Sequence, residues 1–429
     1  MKSKGLFASI VAALMITTIF TGCSNKPAAT TESNNTATDL TKLSGQIEMW
    51  STFSDNENKV LKDKIIPAFN KTYPSITVKV TAMPSGDDYK KQILQAAMSG
   101  TTPDLARTDI TDVALYANQD YLVPLDSMQG FDEVKKDTFE GPMSTNMYNG
   151  HYYGIPLDTN TKIAIYNKAM LTKAGLTEAP KTMDELEQYA KACKADKVMA
   201  IGMGGTEAWA ISPYFLSLGG KFTDNTNTKA TGYLNSQESV KALTKIVEWN
   251  DAGYVGKSLL GGEGTWEGYN AGHYGMIDDG PWWYGANKDQ KLVKDNVVFA
   301  PMPKGDGGSV SVVGGEDTII FKGSKNQQQA YAFAKFLASD EAQTIFATEL
   351  NMMPVNKTTA KKSVITDNQM LGVYVNQLGS TWARTPSPKW GDISSAMKDD
   401  FEAAIRHKLT PQAALDDAAK KVDALLQQK

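Results

Sequence analysis

The stretch Asp278-Asp279-Gly280-Pro281-Trp282-Trp283-Tyr284 brings acidic and aromatic side chains together at the end of a short apolar run. The apolar run, residues 274–277, is typical of a buried strand, and Gly280-Pro281 predicts a turn that can open a helix. In open α/β sheets, ligands bind in the crevice outside the carboxyl ends of strands. Carboxylates accept hydrogen bonds from hydroxyls, and flat rings cover C–H faces, so the stretch favours a carbohydrate site. The alternative is a set of core aromatics at a turn.

Motifs for other chemistry are incomplete. Gly256-Lys257-Ser258 resembles the end of a P-loop, but Asp251 occupies the leading glycine position, and Glu207 occupies the last position of a GxGxxG pattern. Residues 224–228 lack the glycine and the glutamate of a calcium loop, and the three histidines are scattered along the chain. We therefore expect no cofactor and no metal. A carboxylate pair for glycoside hydrolysis is defined in space, so an enzyme stays open as an alternative.

Composition narrows the class of protein. The 429 residues are 41% hydrophobic and 21% charged, which is enough for two domains with sizeable cores. The formal net charge of −4 and the lack of a long basic run argue against a nucleic-acid partner. Beyond the N-terminal segment, no apolar run is long enough for a membrane span.

The N-terminus has the pattern of an export signal. Lys2 and Lys4 precede an apolar run over residues 6–20, and small residues lead to a cysteine. The segment resembles the bacterial lipoprotein signal, with Phe20-Thr21-Gly22-Cys23 as its lipobox. That resemblance implies a signal peptide over residues 1–22, lipidation of Cys23 and a place on the outer face of the bacterial cytoplasmic membrane. An ordinary signal peptide with an incidental cysteine is the alternative.

Residues 23–44 are rich in Ser, Thr, Asn and Ala, which predicts a flexible tether. Cys193 is the only other cysteine. It lies in a helical pattern and is expected to be a small buried hydrophobe. A lipidated Cys23 leaves it without a disulfide partner, so the exported chain has to rely on its core.

Strands and helices alternate along the rest of the chain, which predicts an α/β architecture with largely parallel sheets. Apolar periodicity and capping residues place the elements. The predicted strands cover residues 46–50, 76–82, 103–106, 199–202, 274–277, 297–300, 310–313 and 318–321. The predicted helices cover residues 57–73, 87–99, 110–118, 184–196, 207–218, 327–337 and 340–350, with one more ending at residue 251 and one after Thr410-Pro411.

Several segments, in order, resemble the family 1 extracellular solute-binding proteins of sugar ABC importers, of the maltodextrin-binding type. They begin with PDLARTD at Pro103, YYGIPLDTNT at Tyr152, YGMIDDGPWW at Tyr274 and GGEDTIIF at Gly314. The resemblance extends from Gly45 to the end of the chain.

The resemblance implies a two-lobe, periplasmic-binding-protein-like fold of class II type. Each lobe would be a mostly parallel sheet flanked by helices, with a hinge between the lobes. Lobe 1 would hold residues 45–158 and 290–349, and lobe 2 residues 159–289 and 350–429. A ligand would lie in the cleft and be buried when the lobes close.

The resemblance also implies the ligand contacts. The maltodextrin type has a glutamate where Asn160 stands and a ring near Ala106, so these departures argue against maltodextrin itself. Arg107 could instead form a lobe-surface ion pair, and Trp209 could face the core of its helix. The full set is Ser54, Asp55, Arg107, Asp109, Asp158, Asn160, Glu207, Trp209, Asp279, Trp282, Glu316 and Trp390.

The implied function is capture of an oligosaccharide by an extracellular lipoprotein, which delivers it to the membrane permease of an ABC importer. Several tryptophans along one cleft suit a ligand longer than one ring. The protein is expected to be a monomer. The alternatives are the same fold with a polyol, a glycerophosphodiester or a small peptide as its ligand, and a carbohydrate-active enzyme.

Overall fold

Two larger β-sheets organise the computed structural model, which describes residues 40–428. The predicted signal peptide, residues 1–22, and the predicted lipidation site Cys23 lie outside the described residues. In the first sheet, neighbours among the first three strands run parallel, and the fourth strand is antiparallel to both of its neighbours. The order of its strands is Ile76–Ala82, Gly45–Ser51, Leu105–Asp109, Gly314–Ile320 and Gly154–Asn160.

The second sheet has four strands, of which only the last two pair in parallel. Their order is Val297–Ala300, Ile163–Asn167, Tyr274–Asp279 and Met199–Gly202. We call the elements packed around the first sheet the first lobe, and those around the second sheet the second lobe.

The predicted α/β architecture with mostly parallel sheets is confirmed, since four of the five strands of the first sheet and three of the four strands of the second run in the same direction. One strand in each sheet runs antiparallel to its neighbours. Ile163–Asn167 and Gly314–Ile320 each arrive from the other lobe through a connection without a helix. A parallel neighbour needs a long crossover, whereas an antiparallel neighbour does not. The two strands therefore enter their sheets antiparallel.

Helices of the first lobe begin and end at recognisable capping residues. Ser54 and Glu57 form a capping box at the start of Asp55–Val60, and Gly100, in the left-handed conformation, ends Asp87–Ser99. The helix predicted over residues 57–73 contains one π-helical turn, Leu61–Ile65, before it continues as Ile66–Thr72. The remaining helices are Val113–Asn118, Phe131–Asp137, Glu140–Ser144, Gln327–Leu337 and Asp340–Leu350.

The three longest helices among residues 40–428 lie in the second lobe and are amphipathic. Ser236 caps Gln237–Asp251, which buries Leu243, Ile246 and Val247 on one face and Trp249 beside them. The predicted buried position of Cys193 is confirmed. The other helices are Lys168–Lys173, Met183–Ala195, Ala208–Ser217, Thr265–Asn270, Trp282–Asn287, Gln369–Leu378, Trp390–Ile405 and Pro411–Leu426.

The chain passes between the two sheets at three places. It leaves the first sheet at Asn160 and enters the second at Ile163, and it returns at Gly314. The third passage follows Leu350, where Met353 forms a β-bridge with Thr159. The expected return to the first lobe near residue 290 is wrong, because Val297–Ala300 pairs antiparallel with Ile163–Asn167.

No helix within residues 40–428 is both long enough and apolar enough to cross a membrane.

Candidate functional site

A cleft of about 670 Å³ lies where the two sheets meet, and both lobes line it. The first lobe contributes the ends of three neighbouring strands, which carry Arg107, Asp109, Asp158 and Glu316. The second lobe contributes indole rings, and the third passage between the lobes contributes apolar side chains. The members from the second lobe and the third passage include Trp209, Trp282, Tyr284, Lys288, Leu350, Met352, Met353, Met370 and Arg384.

Arg107 is the centre of a buried charge network in the first lobe. Its Nη2 lies 2.9 Å from both Asp158 Oδ2 and Glu316 Oε2, and its Nη1 donates to Thr52 Oγ1 at 2.7 Å. The guanidinium also lies 4.3 Å from the centre of the Phe53 ring. These partners come from neighbouring strands and from the loop after Gly45–Ser51, so strand pairing holds the network in place.

The electrostatics of this network follow from burial. Burial alone would lower the pKa of Arg107, but attraction to Asp158 and Glu316 outweighs it and raises the pKa. Burial, followed by repulsion from Asp158, raises the pKa of Glu316 well above its usual value. Arg107 therefore stays charged. Arg107 forms ion pairs and also lines the cleft.

The second-lobe wall consists of two stacked indoles. The ring centres of Trp209 and Trp282 are 6.3 Å apart with planes inclined by 25°, and Trp282 is 44% exposed. Glycines make room for both rings. A Cβ on Gly280 would lie 2.2 Å from the Trp282 ring, and one on Gly314 would lie 2.9 Å from the Trp209 ring. The adjacent Trp283, by contrast, is fully buried.

The two aspartates before the turn are engaged inside the second lobe. Asp278 accepts from the Tyr214 hydroxyl at 2.8 Å and pairs with the buried Lys162. Asp279 accepts from the indole N–H of Trp266 and from the backbone N–H of Gly280. Burial raises the pKa of both carboxyls. Neither lines the cleft, so the structure does not bring Asp279 to the site as the sequence suggested.

Four other residues expected to contact a ligand lie elsewhere. Glu207 is the N-cap residue of Ala208–Ser217 and does not line the cleft. Ser54 is a helix cap, and Asp55 is the exposed first residue of the same helix. Trp390 does not line the cleft either. It is 8% exposed and packs against Trp382, with ring centres 5.9 Å apart.

A second hollow of about 520 Å³ adjoins the cleft on the first-lobe side. It shares Glu57, Arg107, Asp109 and Glu316 with the cleft, and Ser54 lies at its edge. Asp112 lines it and pairs with Lys90 at 2.6 Å, and burial raises the pKa of Asp112 to about 6. The polar surface therefore continues beyond the cleft.

Sequence reasoning missed Arg384, Tyr284 and the methionines. Tyr284 belongs to the starting stretch, so its position two residues beyond Trp282 could have indicated it. Arg384 lies in a coil between Thr381–Trp382 and Trp390–Ile405, and no motif surrounds it. Met352 and Met353 follow the helix Asp340–Leu350, where only the third passage makes them neighbours of the site.

Histidines and acids form no metal site within residues 40–428. Each histidine pairs with one surface carboxylate: His151 with Asp126, His273 with Glu263, and His407 with Asp251. Residues 224–228 form a turn in which Asp224 accepts from the backbone N–H groups of Thr228 and Lys229.

Comparison with known proteins gives a consistent family. A family model for bacterial extracellular solute-binding proteins matches residues 64–372, more than two thirds of the chain. The maltotriose-binding protein of Pyrococcus abyssi is 24% identical over 405 residues, which cover 85% of this chain and 81% of that protein. The galactooligosaccharide-binding protein of Bacillus subtilis is 24% identical over 376 residues, covering 84% and 85%.

The fold has solved counterparts. The crystal structure of the cyclic alpha-maltosyl-1,6-maltose binding protein from Arthrobacter globiformis matches with a TM-score of 0.80 at 22% identity, over 90% of this chain and 100% of that one. At this identity the match shows a shared fold.

Proposed function

The chain belongs to the bacterial extracellular solute-binding proteins, and we propose that it captures an oligosaccharide in the cleft between its lobes for delivery to an ABC importer. Relatives that bind maltotriose and galactooligosaccharides support a sugar ligand. The proposed mature protein is extracellular.

The observation that carries the proposal is the pairing of two unlike walls in one cleft. Sugars present flat C–H faces, which stack on indoles, and hydroxyl rims, which hydrogen-bond to charged groups. Trp209 and Trp282 offer ring faces, and Arg107, Asp109, Asp158 and Asn160 offer polar groups opposite them. A buried polar group left without a partner costs about 1–3 kcal/mol, so the polar wall would supply selectivity.

The ligand is proposed to be longer than one ring. The cleft and the adjoining hollow share a polar border, so an extended ligand can continue from the indoles past Arg107. The absence of a glutamate at Asn160 and of a ring at Ala106 weighs against maltodextrin within this class.

Closure of the lobes around the sugar would create the form that the permease recognises. A ligand shifts the open–closed equilibrium only by its differential affinity for the two forms, so contacts to both walls at once must drive closure. The passages at residues 160–163, 312–314 and after residue 350 are proposed as the hinge. The first lobe would hold residues 45–160 and 314–350, and the second lobe the segments between and after them.

We further propose that a lipid on Cys23 anchors a monomeric protein to the outer face of the cytoplasmic membrane, with residues 23–39 as the link. The expected tether was too long at its end, because Leu40–Lys42 forms a 3-10 helix and Leu40 is buried in the first-lobe core. Cys23→Ser should move the protein from the membrane fraction to the medium. Continued membrane retention of the variant would contradict the anchor while leaving the sugar-binding proposal intact.

The proposal excludes turnover of the sugar, in contrast to the enzyme alternative. Calorimetric titration of the purified protein with malto-, xylo-, arabino-, galacto- and cello-oligosaccharides tests both. We expect saturable binding of at least one series, with the oligosaccharide recovered unchanged after prolonged incubation. Products that accumulate with time would favour the enzyme, and no binding in any series would refute a sugar ligand.

A further inference from the structure

Arg384 extends from the second lobe across the cleft. It follows the strand Thr381–Trp382, and the hydroxyl of the next residue, Thr385, donates to Asn227 in the second lobe at 3.1 Å. Its side chain is 14% exposed and lines the cleft. The guanidinium carbon lies 5.3 Å from the centre of the Trp209 ring, within the range of a cation–π contact.

The polar partners of Arg384 are incomplete. Nη2 lies 3.9 Å from Asp109 Oδ1 in the first lobe, which is an ion pair but too long for a hydrogen bond. Nε is buried and has no hydrogen-bond partner among residues 40–428. A buried donor without a partner is costly, and native structures rarely keep one without a reason. Arg107, by contrast, is fully engaged by Asp158, Glu316 and Thr52.

Asp109 lies on the opposite wall in a fixed orientation. Its Oδ1 accepts from the backbone N–H of Thr111 at 2.8 Å and from the Thr111 hydroxyl at 2.6 Å, so its orientation is fixed. Its side chain remains 47% exposed. A fixed, partly exposed carboxylate thus faces an arginine with unused donors.

We infer that Arg384 is a specificity-determining residue, whose guanidinium and the carboxylate of Asp109 together bind one neutral sugar hydroxyl across the cleft. An oxygen about 2.9 Å from each partner can bridge two atoms that are this far apart. The hydroxyl accepts from Arg384 and donates to Asp109. This inference rests on the proposed function. It adds to that function a second-lobe residue that donates a hydrogen bond to the ligand.

The bridge selects by charge. A carboxylate or phosphate oxygen on the ligand can accept from Arg384, but it meets the like charge of Asp109. An ammonium group can donate to Asp109, but it meets the charge of Arg384. Only a group that donates and accepts at once satisfies both walls, and a sugar hydroxyl is such a group. Because Arg384 packs on Trp209, the hydroxyl belongs to the sugar ring at that indole.

The test is a thermodynamic cycle on binding. The oligosaccharide that the wild-type protein binds best, from the malto-, xylo-, arabino-, galacto- and cello-trioses, is titrated into wild type, R384M, D109N and R384M/D109N. Each single variant should lose about tenfold to hundredfold in affinity, because it removes a charged hydrogen-bond partner. The double variant should lose far less than the product of the two losses, because both residues hold the same hydroxyl.

The controls separate binding from folding. R384M keeps an apolar stem to pack on Trp209, and its Tm without sugar should stay within about 2 °C of wild type. R406M removes an arginine that pairs with Glu402 on the surface, and it should bind like wild type. Unchanged affinity in R384M, or losses that multiply in the double variant, would overturn the inference alone. A wild-type protein that binds none of the sugars would overturn the proposed function and this inference with it.

Discussion

The two walls of the cleft differ in what they leave available to a ligand. On the first-lobe wall, Arg107 is already bonded to Asp158 and Glu316, and Arg107 and Asp158 are buried. On the second-lobe wall, Trp282 is 44% exposed, and Arg384 has a donor without a partner. The first wall is therefore a preorganised polar surface, and the second wall holds the unused contacts.

This contrast follows from how each wall is built. The charged residues lie on neighbouring strands, where backbone pairing fixes their register. The rings lie at or near the N-terminal ends of two helices, and Arg384 lies on a coil. Substitutions in the Arg107 network should mainly affect stability, and substitutions of the unused contacts Trp282 and Arg384 should mainly affect affinity.

The largest effect is expected in the charge network. Arg107→Met leaves Asp158 and Glu316 buried without a counter-charge, so the free energy of unfolding should fall by about 3–5 kcal/mol. Denaturation by guanidinium chloride, followed by fluorescence, measures it. R107M/D158N/E316Q carries no unpaired charge and should recover part of the loss. If R107M lowered the free energy of unfolding by less than about 1 kcal/mol, the distinction between the two walls would not hold.

Asp112, in the hollow beside the first-lobe wall, should also make the stability of the protein depend on pH. Burial raises the pKa of Asp112 from 3.8 to about 6, so the folded protein holds a proton that the unfolded chain releases. Its contribution to stability is complete below about pH 4 and is lost as the pH rises through about 6. Between pH 4 and pH 7, the unfolding free energy of wild type should fall by about 2 kcal/mol more than that of D112N.

Chemical denaturation at pH 4, 5, 6 and 7 provides the comparison. Parallel pH profiles for wild type and D112N would contradict the raised pKa.

Trp282 and Trp283 form a matched pair of neighbours on the second wall. Trp282→Ala should weaken sugar binding at least tenfold, or about 1.4 kcal/mol, and leave the Tm nearly unchanged, because the ring is exposed in the cleft. Trp283→Ala should cost about 3–5 kcal/mol of stability, because that ring is fully buried. Calorimetric titration and thermal unfolding of both variants give the two readouts. The contrast between the two tryptophans fails if W282A has a clearly lower Tm than wild type but its folded molecules bind sugar with unchanged affinity.

The smallest effect concerns Ser54, which the sequence suggested as a ligand contact and the structure shows as a helix cap. Ser54→Ala should lower the unfolding free energy by about 1 kcal/mol and change sugar affinity by less than twofold. S54D keeps a capping carboxylate and should restore the stability. An affinity loss in S54A without a stability loss would return Ser54 to the binding surface.

Local sequence patterns predicted the helices and strands well, but they predicted poorly which strands pair with one another. The strand Ile76–Ala82 and the helices Asp87–Ser99, Gln327–Leu337 and Asp340–Leu350 have the predicted bounds. The strand Val297–Ala300 was also found, but it joins the second sheet, because periodicity does not specify which sheet a strand enters.

The same limit applies to the site. Arg107 and Trp282 stand in segments whose order and spacing are distinctive, and the structure places both in the cleft together with Trp209. Trp390 was expected to contact the ligand, yet its ring packs on Trp382. Arg384 could not be found from sequence, because only tertiary packing brings its coil beside Asp109 and Trp209.

The position of Gly314–Ile320 inside the first sheet has a consequence for biosynthesis. This strand pairs with Leu105–Asp109 and Gly154–Asn160, which precede it by more than 150 residues. At 5–20 residues per second, a ribosome needs about 10–30 s to make the intervening chain. Throughout that interval the two earlier strands keep unpaired edges that invite pairing with other chains. The edges of the nascent first lobe therefore stay open until Gly314–Ile320 is made, whereas Ile163–Asn167, Met199–Gly202 and Tyr274–Asp279 can already pair with one another.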